Sequence, residues 1–398
     1  MSARMNHGFK LALLLLFFAL VAARNTRGNQ HKDTVFGKRM TLYSKVLNEE
    51  RQLFVHLPVD YDSSAKKYPV LYILDAESTH LFRQSITAVT FFAGFRRIPR
   101  MIVVGVVNTD RNRDITPRKI KQRASSGGGD AFLKFLVSEL IPHIDSRFRS
   151  AKYRVLFGGS SAGMFSLYTL FSRPEAFNAV IASRPALSSV PGYTWDSDVI
   201  LRKANQLLEK KVSLCRVLYI DYGGQEDALH NPAPIRRLSA LLKQKAPSNF
   251  RWETKQMGES GYRSAESLTN GLLTVFDGWY YPADNLHTAG MAGIKSYANR
   301  LSERFRYSVP VSDLLAERDL ILFGNRFLEI GNLVEAINVF EYACTVYPKS
   351  WVFFNSLGGA YLAHGQKELA IKSYRTSLEL EPANANAIQK LKQLREHK

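Results

Sequence analysis

A strand-like run that enters a glycine- and serine-rich turn and continues as a helix most limits how this chain can fold. Residues 154–157 are followed by Gly158-Gly159-Ser160-Ser161-Ala162-Gly163, and residues 164–172 read as a helix. The pattern Gly159-x-Ser161-x-Gly163 between a strand and a helix predicts a nucleophile elbow. We therefore predict Ser161 as the nucleophile and the amide of Ala162 as an oxyanion donor at the helix N-terminus. The alternative is a tight turn without chemistry.

Further apolar runs alternate with helical segments on both sides of this turn. Such alternation predicts parallel β-α-β units. An amphipathic helix is predicted over 130–148, where the apolar residues follow the helical period. The fold class is therefore α/β, with a doubly wound, mostly parallel sheet. The predicted strands are 42–46 and 53–57, which form a hairpin, then 70–74, 101–107, 154–157, 179–182, 217–222 and 252–257.

The last part of the chain, residues 311–398, carries an internal repeat. Small, apolar and proline positions recur after 34 residues, a period typical of tetratricopeptide helix pairs. We predict a small all-α, tetratricopeptide-like C-terminal domain that packs on its neighbours or recruits a protein partner. The repeated positions are Gly331, Ala336, Ile337, Phe340 and Pro348, which correspond to Gly365, Ala370, Ile371, Tyr374 and Pro382.

The N-terminus differs from the rest of the chain. Arg4 and Lys10 precede an apolar run over 11–23 that closes on small residues, a pattern typical of a secretory signal peptide. The run is shorter than the about 20 apolar residues of a membrane span. Export to the periplasm or the medium is predicted, with an uncleaved N-terminal membrane anchor as the alternative. The predicted division is 1–23 signal peptide, 24–40 linker, 41–283 α/β domain, 284–310 connecting segment and 311–398 helical domain.

Composition narrows the function classes. Hydrophobic residues make up 45% of the chain, which is ample for a buried core. The net charge of +19 favours anionic ligands or surfaces, but no stacking or zinc-finger motif accompanies it, so nucleic-acid binding is not expected. Cys215 and Cys344 cannot form a disulfide framework, and both are expected to be buried as small apolar residues. No metal or cofactor is predicted.

Several motifs between residues 41 and 281 resemble the family of esterases related to enterochelin esterase and esterase D. They are Tyr68-Pro-Val-Leu-Tyr-Ile-Leu-Asp75, Val104-Gly-Val-Val-Asn-Thr-Asp-Arg111, Asp114-Ile-Thr-Pro117, the glycine-rich stretch before Leu140-Ile-Pro142, and the turn with Ser161. Members of this family with a C-terminal tetratricopeptide segment are known. The resemblance implies an α/β-hydrolase fold and hydrolysis of esters by a Ser–acid–His triad.

The resemblance also implies where the remaining site residues lie. The acid belongs in the turn after the 217–222 strand, where Glu226 and Asp227 both fit, with Glu226 favoured by its spacing from Gly223. The second oxyanion donor belongs in the loop after the 70–74 strand, at Ala76 or Glu77.

The triad histidine is expected between the 252–257 strand and the next helix, and this chain has none there. Residues 258–264 read Gly-Glu-Ser-Gly-Tyr-Arg-Ser. His80, His230 and His287 could be asked to substitute, but each is expected to be a surface or packing residue, and Glu259 and Tyr262 lack a suitable pKa near neutrality. Two functions stay open: a hydrolase of small-molecule carboxylic esters with an unusual base, or a pseudo-esterase that binds a ligand or a protein partner.

Overall fold

The computed structural model describes residues 37–121, 123–187, 197–210, 213–223, 232–258, 264–280 and 283–396. Within them an eight-stranded sheet has the order β1-β2-β4-β3-β5-β6-β7-β8. Strand β2 pairs antiparallel with β4, and the pairs from β4 through β3 and β5 to β8 are parallel. The strands are β1 Lys38–Ser44, β2 Glu49–His56, β3 Tyr68–Ile73, β4 Ile102–Val106, β5 Ser150–Gly159, β6 Ala179–Ser183, β7 Val217–Tyr222 and β8 Arg251–Gln256.

Helices cover both faces of this sheet, so the prediction of a doubly wound, mostly parallel α/β fold is confirmed. The inner parallel strands β3, β4, β6 and β7 are buried almost throughout, which explains why they read as continuous apolar runs rather than alternating ones. The edge strand β8 is partly or fully exposed along its length. The helices are α1 Thr79–Gly94, α2 Arg111–Asp114, α3 Gly129–Phe135, α4 Ile141–Arg147, α5 Ser161–Ser172, α6 Ser197–Glu209, α7 Pro232–Lys245, α8 Ser264–Val275 and α9 Ala283–Phe305.

The amphipathic segment predicted over 130–148 is one helical rod with a π-helical turn. A π-turn over Leu136–Leu140 joins α3 to α4. Pro142 follows in the first turn of α4 and has no N–H to donate to the preceding turn, which accounts for a local departure from α-helical bonding at this place. The rod packs its buried residues into the core on one face of the sheet.

An all-helical region ends the chain. Its helices are α10 Val311–Leu314, α11 Glu317–Glu329, α12 Leu333–Val346, α13 Trp351–Ala363, α14 Lys367–Leu380 and α15 Ala385–Glu396.

The 34-residue period of the sequence is repeated in this region's geometry. Gly331 and Gly365 both have positive φ, 77° and 81°. Each lies in a Schellman-type helix end, with Asn332 N–H donating to the Phe327 carbonyl and Gln366 N–H to the Tyr361 carbonyl, both at 2.9 Å.

The helical tail shares a hydrophobic core with the sheet. One continuous cluster contains Ile181 and Phe157 of the sheet, Phe305 of α9, and residues of the tail as far as Leu391. Residues from Arg39 onward form one compact unit. The segment 284–310, predicted as a connection, is largely the helix α9, which kinks at Gly290.

The two cysteines have different surroundings. Cys344 is buried as expected, whereas Cys215 is partly exposed.

No helix in the described ranges is both long and apolar enough for a membrane span. The N-terminal residues 1–36, including the predicted signal peptide, lie outside the described residues.

Candidate active site at the end of β5

The turn between β5 and α5 is centred on Ser160. Its backbone has φ 54° and ψ −120°, and α5 begins at the next residue. A positive φ is unusual for a residue with a side chain and costs of the order of 1–2 kcal/mol, so the surroundings must hold it. The Ser160 N–H donates to the Ser183 carbonyl at 2.9 Å, and the Ser160 carbonyl accepts from Ala186 and Met164, both at 3.0 Å. Contacts with β6 and the loop after it therefore fix this strained turn.

Glycines make the crossing of β5 and α5 close enough for such a turn. A Cβ on Gly158 would lie 2.3 Å from the Ala162 carbonyl oxygen, and one on Gly163 would lie 3.0 Å from the Ser183 carbonyl oxygen. Both clashes are with backbone atoms, which cannot move aside cheaply. The spacing around the turn is therefore Gly158-x-Ser160, with a second required glycine at the first turn of α5.

The sequence pattern centres the elbow on Ser161, whereas the structure centres it one residue earlier. Ser161 is the first residue of α5 and is only 8% exposed, while Ser160 is half-buried. The sequence contains both registers, Gly158-x-Ser160 and Gly159-x-Ser161, and the residue at which the helix begins distinguishes them. With Ser160 at the turn, the amide that follows it belongs to Ser161, and Ala162 lies one position further into α5.

The loop after β3 lies beside this turn, because β3 and β5 are neighbouring parallel strands. Asp75 has a positive φ of 59°. Its carboxylate accepts from Arg111 Nε at 2.9 Å and Nη2 at 2.7 Å, and from Asn108 Nδ2 at 2.7 Å. The Glu77 carboxylate accepts from the Asn108 N–H at 3.2 Å. A bidentate ion pair and an amide thus hold the loop from the segment that follows β4.

The amide of Ala76 does not fit the oxyanion role predicted for it. Its N–H donates to the Val106 carbonyl at 3.1 Å, which extends the ladder between β3 and β4 past the end of the strand. A backbone N–H engaged in that way cannot also point at a developing oxyanion. Glu77, the alternative that the sequence left open, is the remaining candidate in this loop.

The two predicted acids, Glu226 and Asp227, lie outside the described residues, as does His230. A third acid, which the sequence analysis missed, stands at the end of β7. Asp221 is fully buried, and its Oδ1 accepts from the Arg184 N–H at 3.0 Å. Burial raises the pKa of this carboxyl to about 6, although hydrogen bonds from Ser267 and from the Arg184 amide oppose the shift. The sequence does carry a signal for this residue, because Asp221 is an acidic residue within the otherwise apolar run of β7.

Asp221 lies close to the elbow through the strand register. Its backbone pairs with Ser183 of β6, whose carbonyl holds the N–H of Ser160. The guanidinium of Arg184 also lies at this edge, against Gly223, which directly follows β7. A Cβ on Gly223 would come within 2.1 Å of one of the guanidinium nitrogens. The carboxyl ends of β5, β6 and β7 therefore bring a strained serine, a cation and a buried carboxyl to one edge of the sheet.

Of the three candidate histidines, only His80 has a side chain within the described parts of the structure. His80 is exposed in the first turn of α1, and neither residues 259–263 nor the side chain of His287 are among the described parts. Among the residues that the structure describes, no group of three or more His, Cys, Asp or Glu side chains could hold a metal ion.

Comparison with known proteins places the chain in a family. A family model described as "Putative esterase" matches residues 44–265, more than half of the chain. This range contains β2 through β8 and the turn at Ser160.

Two characterised relatives carry esterase names. The chain is 32% identical over 156 residues to the siderophore triacetylfusarinine C esterase of Aspergillus fumigatus, covering 36% of this chain and 51% of that protein. It is 28% identical over 209 residues to the ferri-bacillibactin esterase BesA of Bacillus subtilis, covering 46% of this chain and 68% of the relative. The match therefore spans only about half of the fungal protein.

A solved structure supports the fold over most of the chain. The IroE-like serine hydrolase from Shewanella oneidensis superposes with a TM-score of 0.59 at 21% identity, covering 86% of this chain and 99% of that one. The sheet order, the turn at its centre and the family match agree: the chain belongs to the putative esterase family, with an esterase-like hydrolase fold.

Proposed function

We propose that this chain acts on carboxylic esters with Ser160, rather than Ser161, as its nucleophile. The observation that carries the proposal is the strained backbone of Ser160 at the junction of β5 and α5. A serine on such a turn presents its hydroxyl beyond the end of the sheet, beside the free amides of a helix N-terminus. The amide of Ser161 and that of Glu77 are the proposed oxyanion donors, and Glu226 or Asp227 the proposed acid.

A second candidate function is a pseudo-esterase that binds an ester without turning it over. The absence of an imidazole from residues 258–264 favours it. Loss of one triad member typically lowers turnover by about 10⁴- to 10⁶-fold, because the serine hydroxyl is then a poor nucleophile. Binding of an ester beside Ser160 would survive such a loss.

Labelling by a fluorophosphonate probe distinguishes the two functions and the two serines. A hydrolase is labelled and cleaves p-nitrophenyl acetate; Ser160→Ala abolishes both and Ser161→Ala keeps both. Loss only in Ser161→Ala would move the nucleophile to Ser161. A wild-type chain that is neither labelled nor active, but still binds an ester, is the pseudo-esterase.

Adding a histidine to the loop after β8 tests the same site by supplying the base that the triad would need. Gly261→His places an imidazole in the loop after β8, and we expect labelling and ester cleavage to rise by about 100-fold or more, still dependent on Ser160. Ser260→His is the matched control for the register of the loop. No gain from either variant would remove the support for a triad-like site.

For the substrate class we propose ester-linked siderophores. The two relatives are named for triacetylfusarinine C and ferri-bacillibactin. The net charge of +19 favours an anionic ligand of this kind. Quenching of protein fluorescence by ferri-bacillibactin measures binding to the Ser160→Ala variant without cleavage; no saturable quenching would exclude this ligand.

Export and a protein-binding tail complete the proposal. The basic head and apolar run over 11–23 support export to the periplasm or the medium, which cell fractionation tests. The helix ends that recur at Gly331 and Gly365 support a tetratricopeptide-like tail. Such repeats commonly bind protein partners on a concave face.

A further inference from the structure

The outward side of α1 presents aromatic rings to solvent at its C-terminal end. The helix buries Leu81, Ile86 and Val89 against the core. Phe91, near the end of the helix, is 56% exposed, and Phe95, which follows the last helical residue Gly94, is 62% exposed. The two rings contact each other, with centroids 4.9 Å apart. Single exposed apolar residues are ordinary, but two large exposed rings in contact form an apolar patch whose exposure to water is unfavourable unless a partner covers it.

The stretch of sequence that carries these rings is rich in arginine and has no acidic residue. Residues 78–100 contain four arginines and no Asp or Glu. Arg96 and Arg100 are engaged by Asp319 and Asp60, at 3.3 and 2.5 Å. Arg83 and Arg97 are exposed on the surface.

A third exposed ring extends this surface. The Arg97 guanidinium lies 5.3 Å from the ring centroid of Tyr280, which is itself 43% exposed. We define the α1 patch as Phe91, Phe95, Arg97 and Tyr280. Its chemistry is two phenyl rings, a phenol and a guanidinium, all exposed to solvent.

We propose that the α1 patch docks this protein on a lipid bilayer that contains anionic headgroups. Aromatic rings with neighbouring Arg residues suit the membrane–water interface, because the rings enter the boundary of the acyl chains while guanidinium groups contact phosphates. A second copy of the chain is a poorer occupant, since pairing two such stretches would bring like charges together. The net charge of +19 adds long-range attraction to the same surface.

Flotation with lipid vesicles tests the docking with the full chain. We expect binding to phosphatidylcholine vesicles that contain phosphatidylglycerol, weakened by high salt, and little binding to phosphatidylcholine alone. Phe91→Gln with Phe95→Gln should weaken binding about tenfold or more, because each ring loses its apolar burial. Arg97→Gln should weaken it about fivefold.

Leu369→Gln with Ile388→Gln is the matched control, since these tail residues are 43% and 50% exposed. We expect unchanged vesicle binding from this pair. Equal losses in the control and the Phe variants would overturn the proposal, as would wild-type binding that ignores lipid charge.

An environment-sensitive dye separates the α1 patch from the N-terminal apolar run. Phe95→Cys in a Cys215→Ser background is labelled with a nitrobenzoxadiazole dye, and Ile388→Cys serves as its control. A blue shift only at position 95, and only with anionic vesicles, supports docking. No shift at 95, or sedimentation showing that the patch variants break a dimer, would overturn it.

Discussion

At Ser160 the backbone takes a conformation that glycine adopts freely and serine does not. Hydrogen bonds with β6 and with the loop after it hold Ser160 in this geometry, so the backbone strain at this residue persists in the folded protein. Strain held in this way is expected where a side chain must be presented, because a glycine would fold there at lower cost. Stability and site chemistry therefore oppose each other at this position.

Replacing Ser160 by glycine should stabilise the protein. We expect Ser160→Gly to unfold with a free energy about 1 kcal/mol higher than Ser160→Ala, because only glycine relieves the positive φ. Urea unfolding of the two variants measures the difference. Equal midpoints at equal slopes would mean that the turn is not strained.

Asp221 is a second residue whose environment costs stability. The pKa of its carboxyl is about 6 in the folded protein, against an ordinary 3.8, so the folded state holds this proton more tightly than the unfolded chain does. The contribution of Asp221 to stability therefore falls as pH rises from about 4 to about 6, and it stays lost above that window.

Asp221→Asn should remove this pH dependence. At pH 7 we expect the variant to be more stable than the wild type by up to about 3 kcal/mol, and below pH 4 by nothing. Asparagine keeps an oxygen to accept from the Arg184 N–H. Urea unfolding of both proteins across this pH range gives the difference curve, and a flat curve would contradict the burial of a charged form.

At the scale of elements, glycines allow the helices of the tail to approach each other. A Cβ on Gly324 would lie 2.4 Å from the Phe340 ring, and one on Gly358 would lie 2.8 Å from the Tyr374 ring. Both pairs are related by the 34-residue period, so the repeat in the sequence is a repeated glycine–aromatic contact. The contact brings α13 and α14 together at the same point of the repeat at which its counterpart brings α11 and α12 together.

Two adjacent glycines of α13 should respond oppositely to alanine. Gly358→Ala forces a methyl group into the Tyr374 ring and should destabilise by about 1–3 kcal/mol. Gly359→Ala meets only the Tyr374 hydroxyl at 3.7 Å, so its higher helix propensity should stabilise by up to about 1 kcal/mol. Thermal unfolding ranks the two variants, and the same sign for both would refute the close contact.

At the scale of the whole molecule, charge as well as apolar surface ties the tail to the sheet. Lys66, from the segment before β3, donates to the Ser312 carbonyl at 2.7 Å and to Asp60 at 3.0 Å. The carboxyl of Asp313 lies 4.0 Å from the same ammonium group, and burial raises its pKa to about 7. These groups are buried, so breaking the contact would leave unpaired charge in a low-dielectric interior.

Deletion of residues 311–398 should therefore leave an insoluble chain. The cut removes about two fifths of the buried residues of a shared core and exposes Lys66 and Asp60, which are now buried. We expect the full chain to unfold in one transition seen equally by near-UV and far-UV circular dichroism. A soluble, monomeric truncated protein with native ellipticity would show that the tail is an independent module.

The sequence alone was sufficient for the order of the strands along the chain and for the 34-residue repeat, because periodicity and turn chemistry are local properties. It also records that no imidazole stands between residues 258 and 264. Only tertiary structure decided that Ser160 occupies the strained turn, that the Ala76 amide is already engaged, and that Asp221 is buried with a raised pKa. Each of these depends on partners from distant strands and helices, which no local pattern specifies.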